Sequence, residues 1–304
     1  MTGRRVLITG GGGFVGSHLA RGLARLGHRV TALDSGFDAA SSEQLRDVTR
    51  LVSSLTVEAL AASNKDFDLV IHAAAVTTSP EELGQTDAEH IKRNLDLLLD
   101  TLHFAQRKGV AELVFVSSSG VFSPDDASEC LLETTVPTAT SAYALAKRGS
   151  ELIVRGAAST ALATVTIRLG YVYGPYERPR ATRTGVSLVR LWLDRAERGD
   201  PIIVRTPEAR RDWTYAGDLA QALVSALSLI PRRPLIHLGS GVAVSDLELA
   251  QAIAANLPTA RIEVEPRQET PALKPPMAST HPLPMIWTSL ADGIAATRAT
   301  LVGA

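Results

Sequence analysis

At 304 residues the chain is long enough for one large domain or two moderate ones, and it can bury an ample core without disulfide or metal staples. Hydrophobic residues make up 45% and charged residues 21%, and a formal net charge of -1 gives no global field for a polyanion, which argues against a nucleic-acid partner. The single cysteine, Cys130, rules out an internal disulfide and a cysteine-rich metal site, and no His/Asp/Glu spacing suggests a metal either.

No cationic stretch followed by an apolar run and a small-residue cleavage site opens the chain, and its first apolar run, residues 6–9, has only the length of a strand. The expectation is a cytoplasmic protein with no membrane segment. From there, short apolar runs alternate with longer amphipathic stretches. That alternation predicts an α/β fold, a Rossmann-type doubly wound parallel sheet with crossover helices, followed by a smaller, discontinuous C-terminal substrate domain. Strands are expected at residues 5–9, 29–33, 49–53, 69–72, 113–117 and 164–168. Helices are expected at 15–26, 57–62, 88–108 and 141–158.

The first strand runs into Gly10-Gly11-Gly12-Gly13-Phe14-Val15-Gly16, three of whose glycines are spaced Gly-x-x-Gly-x-x-Gly. A backbone without side chains can turn sharply and approach a pyrophosphate, whose charge then lies at the free N–H groups of the following helix. The second strand ends in Asp34, where a carboxylate would accept both hydroxyls of an adenosine ribose and repel a 2′-phosphate. No arginine immediately follows Asp34, so NAD is favoured over NADP.

The strand at 113–117 leads into Ser117-Ser118-Ser119, and Tyr143 and Lys147 then stand four apart on one helix face. A free phenol ionises at about pH 10. A neighbouring ammonium together with a positive nicotinamide would favour the phenolate and bring a base toward neutral pH, while a serine hydroxyl holds the substrate oxygen.

After Arg168 comes a loop-like stretch, GYVYGPYERPRATRTG, then a predicted helix at 186–198 and a strand at 201–204. Helix 218–229, strand 235–238, helix 245–256, an extended proline-rich coil at 266–284 and a last helix at 290–301 complete the expectation. Residues 1–170, with 212–239 returning to them, would form the cofactor domain. Residues 171–211 and 240–304 would form the substrate domain.

Six segments in register carry a resemblance: TGGGGFVGSHL (9–19), VIHAAA (70–75), the serine strand, Tyr143/Lys147, RLGYVYGP (168–175) and RDWTYAGD (211–218). They resemble the extended short-chain dehydrogenase/reductase family, the NAD-dependent epimerases and dehydratases typified by UDP-galactose 4-epimerase. The resemblance implies that Gly10, Gly13, Phe14, Val15, Asp34, Ser35, Ser54, Leu55, Ala73, Ala74, Ala75 and Ser117 bind NAD. It implies that Asn94, Tyr143 and Lys147 contact its nicotinamide side, that Tyr143 is the base and Lys147 its tuner, and that Ser118, or else Ser119, is the catalytic serine. Thr77, Ser118, Ser119, Tyr171 and Arg211 would face the substrate, Arg211 by pairing with a phosphate. It further implies a homodimer through the two long helices.

The chain departs from that pattern in several places. Tyr171 stands where asparagine usually meets the diphosphate of a nucleotide sugar, Ser54 where an acidic residue ends the third strand, and Leu97-Leu98 where Gly-Thr is usual. VRTPEAR (204–210) lacks the usual Gly-Asp-Gly turn. Ser119-Gly120 replaces the Asp-Glu pair expected of a dehydratase, which favours epimerisation of a sugar or nucleotide sugar. The alternatives are a dehydrogenase of a non-nucleotide sugar, sugar acid or other hydroxyl compound, and a non-catalytic dinucleotide-binding protein.

Overall fold

A computed structural model describes residues 3–56, 66–265 and 273–301 of the chain. The first half runs through β1 (Arg5–Thr9), α1 (Phe14–Arg25), β2 (Arg29–Asp34), α2 (Ala39–Gln44), β3 (Thr49–Val52) and β4 (Leu69–His72). It continues through α3 (Pro80–Leu83), α4 (Asp87–Arg107), β5 (Glu112–Ser118), α5 (Ala142–Gly156) and β6 (Ala163–Leu169). The second half holds β7 (Tyr171–Tyr173), α6 (Leu188–Glu197), β8 (Ile202–Val204), β9 (Arg210–Tyr215) and α7 (Leu219–Leu227). It ends with β10 (Leu235–Leu238), β11 (Ala243–Ser245), α8 (Asp246–Asn256), β12 (Ile262–Val264) and α9 (Leu290–Ala299). The helix expected at 57–62 falls outside the described residues.

The main sheet has seven strands in the order β10-β6-β5-β4-β1-β2-β3, all parallel. Residues alternate between its faces. In β1, Val6 and Ile8 join a core with Leu19 and Leu23 of α1 and Leu223 of α7, while Leu7 joins Leu98 and Leu102 of α4 and Val154 of α5 on the other side. Burial on both faces is why these strands read as unbroken apolar runs. The strand order reverses between β1 and β4, and that switch point opens a crevice at the carboxyl ends of the strands.

Local signals set the helix starts. Thr86 and Glu89 form a capping box at α4, and Ser141 accepts the Ala144 N–H at 3.3 Å to open α5. His72 closes β4 inside the core, its Nδ1 3.0 Å from Thr9 Oγ1 and 2.9 Å from Thr101 Oγ1. Burial holds its imidazole down at a pKa of about 3, so it is a neutral core group.

A three-stranded sheet, β11-β9-β7, and a two-stranded one, β12-β8, pack with α6, α8 and α9 around Tyr173, Trp192, Leu193, Trp213, Leu249 and Ile253. The loop expected after Arg168 is strand at Tyr171–Tyr173. Tyr171 and Tyr173 pack into this second core and Val172 into the first, so the segment is covered on both faces although glycines flank it. Residues 212–215 lie in this small sheet, whereas Leu235–Leu238 pairs with β6 in the large one. The described part of the proline-rich tail is coil, tethered by the bridge between Met277 and Leu131 and by Glu133, which accepts from Ser279 Oγ at 2.5 Å and Thr280 N at 2.9 Å. Among the described residues, no helix is long and apolar enough to cross a membrane.

Candidate active site

The glycine turn is built by close approach. Gly10 has φ 68°, and a Cβ on it would lie 2.6 Å from the backbone N and Cα of Ala74 at the end of β4. Only glycine meets both demands. Gly13 then donates its N–H to Gly10 O at 3.0 Å and opens α1 with no side-chain cap, leaving the first amides of that helix free for an anion. Asp34, at the end of β2, accepts Gly12 N at 3.0 Å and Gly36 N at 3.2 Å, which draws the turn onto its carboxylate.

Two adjoining cavities meet along this turn, both lined by Gly10, Gly13, Ala73 and Ala75. The first, of about 320 Å³, is also lined by Asp34, Ser35, Ser54, Leu55 and Ala74. The second, of about 230 Å³, adds Phe14, Val15, Thr77, Ser117, Ser118, Tyr143 and Lys147. A carboxylate at the end of β2, a side-chain-free turn and an uncapped helix end thus follow one another along these cavities, an arrangement that suits a dinucleotide and its pyrophosphate. A larger open cleft of about 660 Å³ between α2, α6 and α9 holds none of these glycines and neither Tyr143 nor Lys147.

The chemistry-bearing residues come from two elements. Ser118 ends β5, where its Oγ accepts Gly120 N at 3.0 Å and lines the same cavity as Tyr143 on α5. Gly120 allows this packing, since a Cβ there would lie 3.1 Å from the Tyr143 ring and 3.2 Å from Ser118 Oγ. One helical turn on, the buried Lys147 donates from Nζ to Val116 O at 2.8 Å, with its ammonium 5.8 Å from the Tyr143 ring centre. Burial pushes Lys147 down to about 8 against the attraction of Glu151. Burial also pushes the Tyr143 phenol up, opposed by the Ser118 hydrogen bond and the Arg183 charge. The expected easing of the phenol by Lys147 is therefore not a property of the protein alone, because the ammonium is turned toward a backbone carbonyl.

Other sequence-selected residues are placed differently. Ser117 lines the second cavity, but its hydroxyl donates to Glu151 at 2.6 Å, and Glu151 pairs with the buried Arg168 at 2.6 Å. Asn94 lines neither cavity. It clasps the loop after β4, accepting Val76 N at 2.9 Å and donating to Val76 O and His90 O. Ser119 and Tyr171 line a separate small cleft of about 10 Å³. Arg211 is ion-paired with the buried Asp246 and lies over the Tyr171 ring at 5.4 Å.

Two contacts escaped the sequence reading. Arg180 donates to Gly12 O and to Gly36 O at 2.9 Å, and its guanidinium lies 3.7 Å from Asp34. Its loop is latched where Thr182 O accepts Thr77 N at 2.8 Å. Lys274 donates from Nζ to Ser119 O at 2.8 Å. Nothing in local spacing links either lysine or arginine to the turn it contacts, since both are brought in by the return of the chain from the second half.

Residues 6–234 match the family described as the NAD dependent epimerase/dehydratase family. The UDP-N-acetyl-alpha-D-glucosaminuronate decarboxylase of Bacillus cytotoxicus is 29% identical over 265 residues, covering 82% of this chain and 79% of that protein. Among solved structures, the Thermus thermophilus UDP-glucose 4-epimerase in complex with NAD superimposes with a TM-score of 0.76 at 27% identity over 99% of both chains. An NAD dependent NDP-hexosamine 5,6-dehydratase involved in tunicamycin biosynthesis superimposes at 0.79 with 28% identity, over 99% of this chain and 98% of that one. The match covers the glycine turn and the main sheet from β1 to β6, and the chain belongs to the NAD dependent epimerase/dehydratase family, with NAD as its cofactor.

Proposed function

We propose that the chain is an NAD-dependent epimerase of a sugar or nucleotide sugar that works by transient oxidation to a keto sugar, with Tyr143 as the base. The observation that carries this reading is that Ser118, Tyr143 and Lys147 line the same cavity as Gly10 and Gly13. Bound NAD supplies the hydride acceptor and donor. Tyr143 Oη takes the proton of the carbinol, Ser118 Oγ holds that oxygen, and the Tyr143 hydroxyl gives the proton back when the alcohol re-forms. Lys147 supplies positive charge beside the phenol once its ammonium turns from Val116 O. Gly10, Gly13, Phe14, Val15, Asp34, Ser35, Ser54, Leu55 and Ala73–75 hold the cofactor in this reading, with Thr77 and Ser118 on the substrate side. Asn94 acts at one remove, by fixing the Val76 loop.

Epimerisation is preferred to dehydration because Ser119-Gly120 offers no carboxylate acid/base pair beside the serine. One observation favours a second reading, a dehydrogenase of a non-nucleotide sugar or sugar acid: Asp246 and the Tyr171 ring already engage Arg211, the phosphate partner expected for a nucleotide sugar. A homodimer through α4 and α5 belongs to the same proposal, since Leu99, Leu145 and Leu152 stand exposed on those helices.

A sugar deuterated at the reacting carbon separates the two readings. The epimerase reading predicts deuterium retained in an epimerised product with no accumulation of NADH. Deuterium appearing in free NADH, with a keto product, would replace it by the dehydrogenase.

A further inference from the structure

We propose that Lys274 is an anion receptor of the substrate site and that the sugar this chain acts on carries a carboxylate. The inference rests on the reading above that a sugar carbinol faces Tyr143, and it adds the class of sugar.

Lys274 enters from the C-terminal coil and donates from Nζ to Ser119 O at 2.8 Å, one residue from Ser118, which lines the cavity of Tyr143. The cleft it enters is lined by Ser119, Gly170, Tyr171, Asp212 and Met277, and Gly170 also lines the cavity of Tyr143 and Lys147. The ammonium therefore stands at the seam between the catalytic cavity and the second core. Its half-buried position lowers its pKa, with Asp126 the carboxylate that opposes the loss.

Several neighbouring cations are matched, although Lys147 is bonded to Val116 O and Arg178 also lines the catalytic cavity. Arg168 pairs with Glu151, Arg183 with Glu177, Arg211 with Asp246, and Arg180 lies beside Asp34. Lys274 has a peptide carbonyl. Asp212, in the same cleft, is occupied by its own donors: Ser240 Oγ at 2.5 Å, Ser240 N at 3.2 Å and Gly241 N at 2.9 Å. An ammonium with three donors, drawn partly out of water and bonded to one neutral acceptor among the described residues, is under-compensated. A carboxylate is the group that best completes it.

The small volume of this cleft, about 10 Å³, fits the same role. Lys274 lines it, and a swing of that flexible chain from Ser119 O toward the catalytic cavity would deliver the charge. A free sugar acid and a nucleotide-linked uronate offer the same carboxylate.

The test is calorimetric binding to the NAD-loaded protein, using glucuronate against glucose, galacturonate against galactose, and UDP-glucuronate against UDP-glucose. The acid of at least one pair is expected to bind about 10–100-fold more tightly than its neutral partner, the span of one charge-assisted hydrogen bond. The pair that shows it tells a free acid from a nucleotide-linked one. Lys274→Met should abolish that preference while leaving the neutral sugar and NAD unaffected, and Lys274→Arg should preserve it. Equal binding of acid and neutral sugar in every pair, no binding of any acid, or a preference that survives Lys274→Met would overturn the proposal. Tyr143→Phe keeps the two ideas apart: it should retain the acid preference, so a failed Tyr143 mechanism shows in turnover and a failed Lys274 assignment in binding.

Discussion

Replacing Tyr143 by phenylalanine is expected to lower turnover by about 10²- to 10⁴-fold, the usual contribution of a positioned general base, while NAD affinity changes by no more than a few-fold. The phenol hydroxyl is the one atom removed. Ser118 Oγ keeps the Gly120 N–H at 3.0 Å, so the turn after β5 has no reason to move. The ring also keeps its place against Gly120. Steady-state kinetics on the identified sugar, with NAD binding measured in parallel, checks both halves of the expectation. A variant with turnover near that of the parent removes Tyr143 from the chemistry. A variant that loses NAD as well says only that the cavity has collapsed.

The second large effect concerns the turn itself. Gly10→Ala places a Cβ on a residue with φ 68° and 2.6 Å from the Ala74 backbone, so left-handed strain and a steric clash act together. The strain costs about 1–2 kcal/mol and the overpacking about 1–3 kcal/mol more. Since Gly10 lines both cavities, the displaced backbone should weaken NAD binding on the order of 10–100-fold. Gly27→Ala is the control: φ is 86° there but a Cβ would meet nothing within 4 Å, so strain appears without clash and NAD affinity should be unchanged. Thermal unfolding and NAD titration of the two variants separate the terms. Equal losses in both would mean that the close approach to Ala74 does no work in binding.

Much of this site was legible in sequence because its determinants are local. A turn that needs Gly10 and Gly13, an acid at the end of β2 and a Tyr/Lys pair on one helix face are each set by a few neighbouring residues and a period. The parallel sheet was legible for the same reason, since burial on both faces leaves uninterrupted apolar runs such as β1 and β4. The short strands β7, β9, β11 and β12 were not. Three to six residues with arginines or flanking glycines carry no period to read, and Tyr171–Tyr173 is a strand because two different cores claim its two faces.

Long-range partners were equally hidden. Asp34 had no arginine beside it in the chain, yet Arg180 arrives from the second half. Arg211 could be recognised by its place before Asp212, but its capture by Asp246 follows from the pairing of β9 with β11, the strand that leads into α8. Asn94, expected on the nicotinamide side, ties down Val76. In each case the residue type was informative and its partner was a consequence of topology.

The central claim is that the cofactor's positive ring and the Lys147 ammonium together turn the Tyr143 phenol into a base. Without cofactor, burial holds that phenol above its usual value, so it stays protonated at neutral pH. An ultraviolet titration of phenolate, run on the NAD-bound protein, on the free protein and on Tyr143→Phe, measures the change directly. One phenol ionising near neutral pH only when NAD is bound, and missing from the variant, is the predicted result. A Tyr143 phenol that stays protonated beyond about pH 10 with NAD bound would contradict the account.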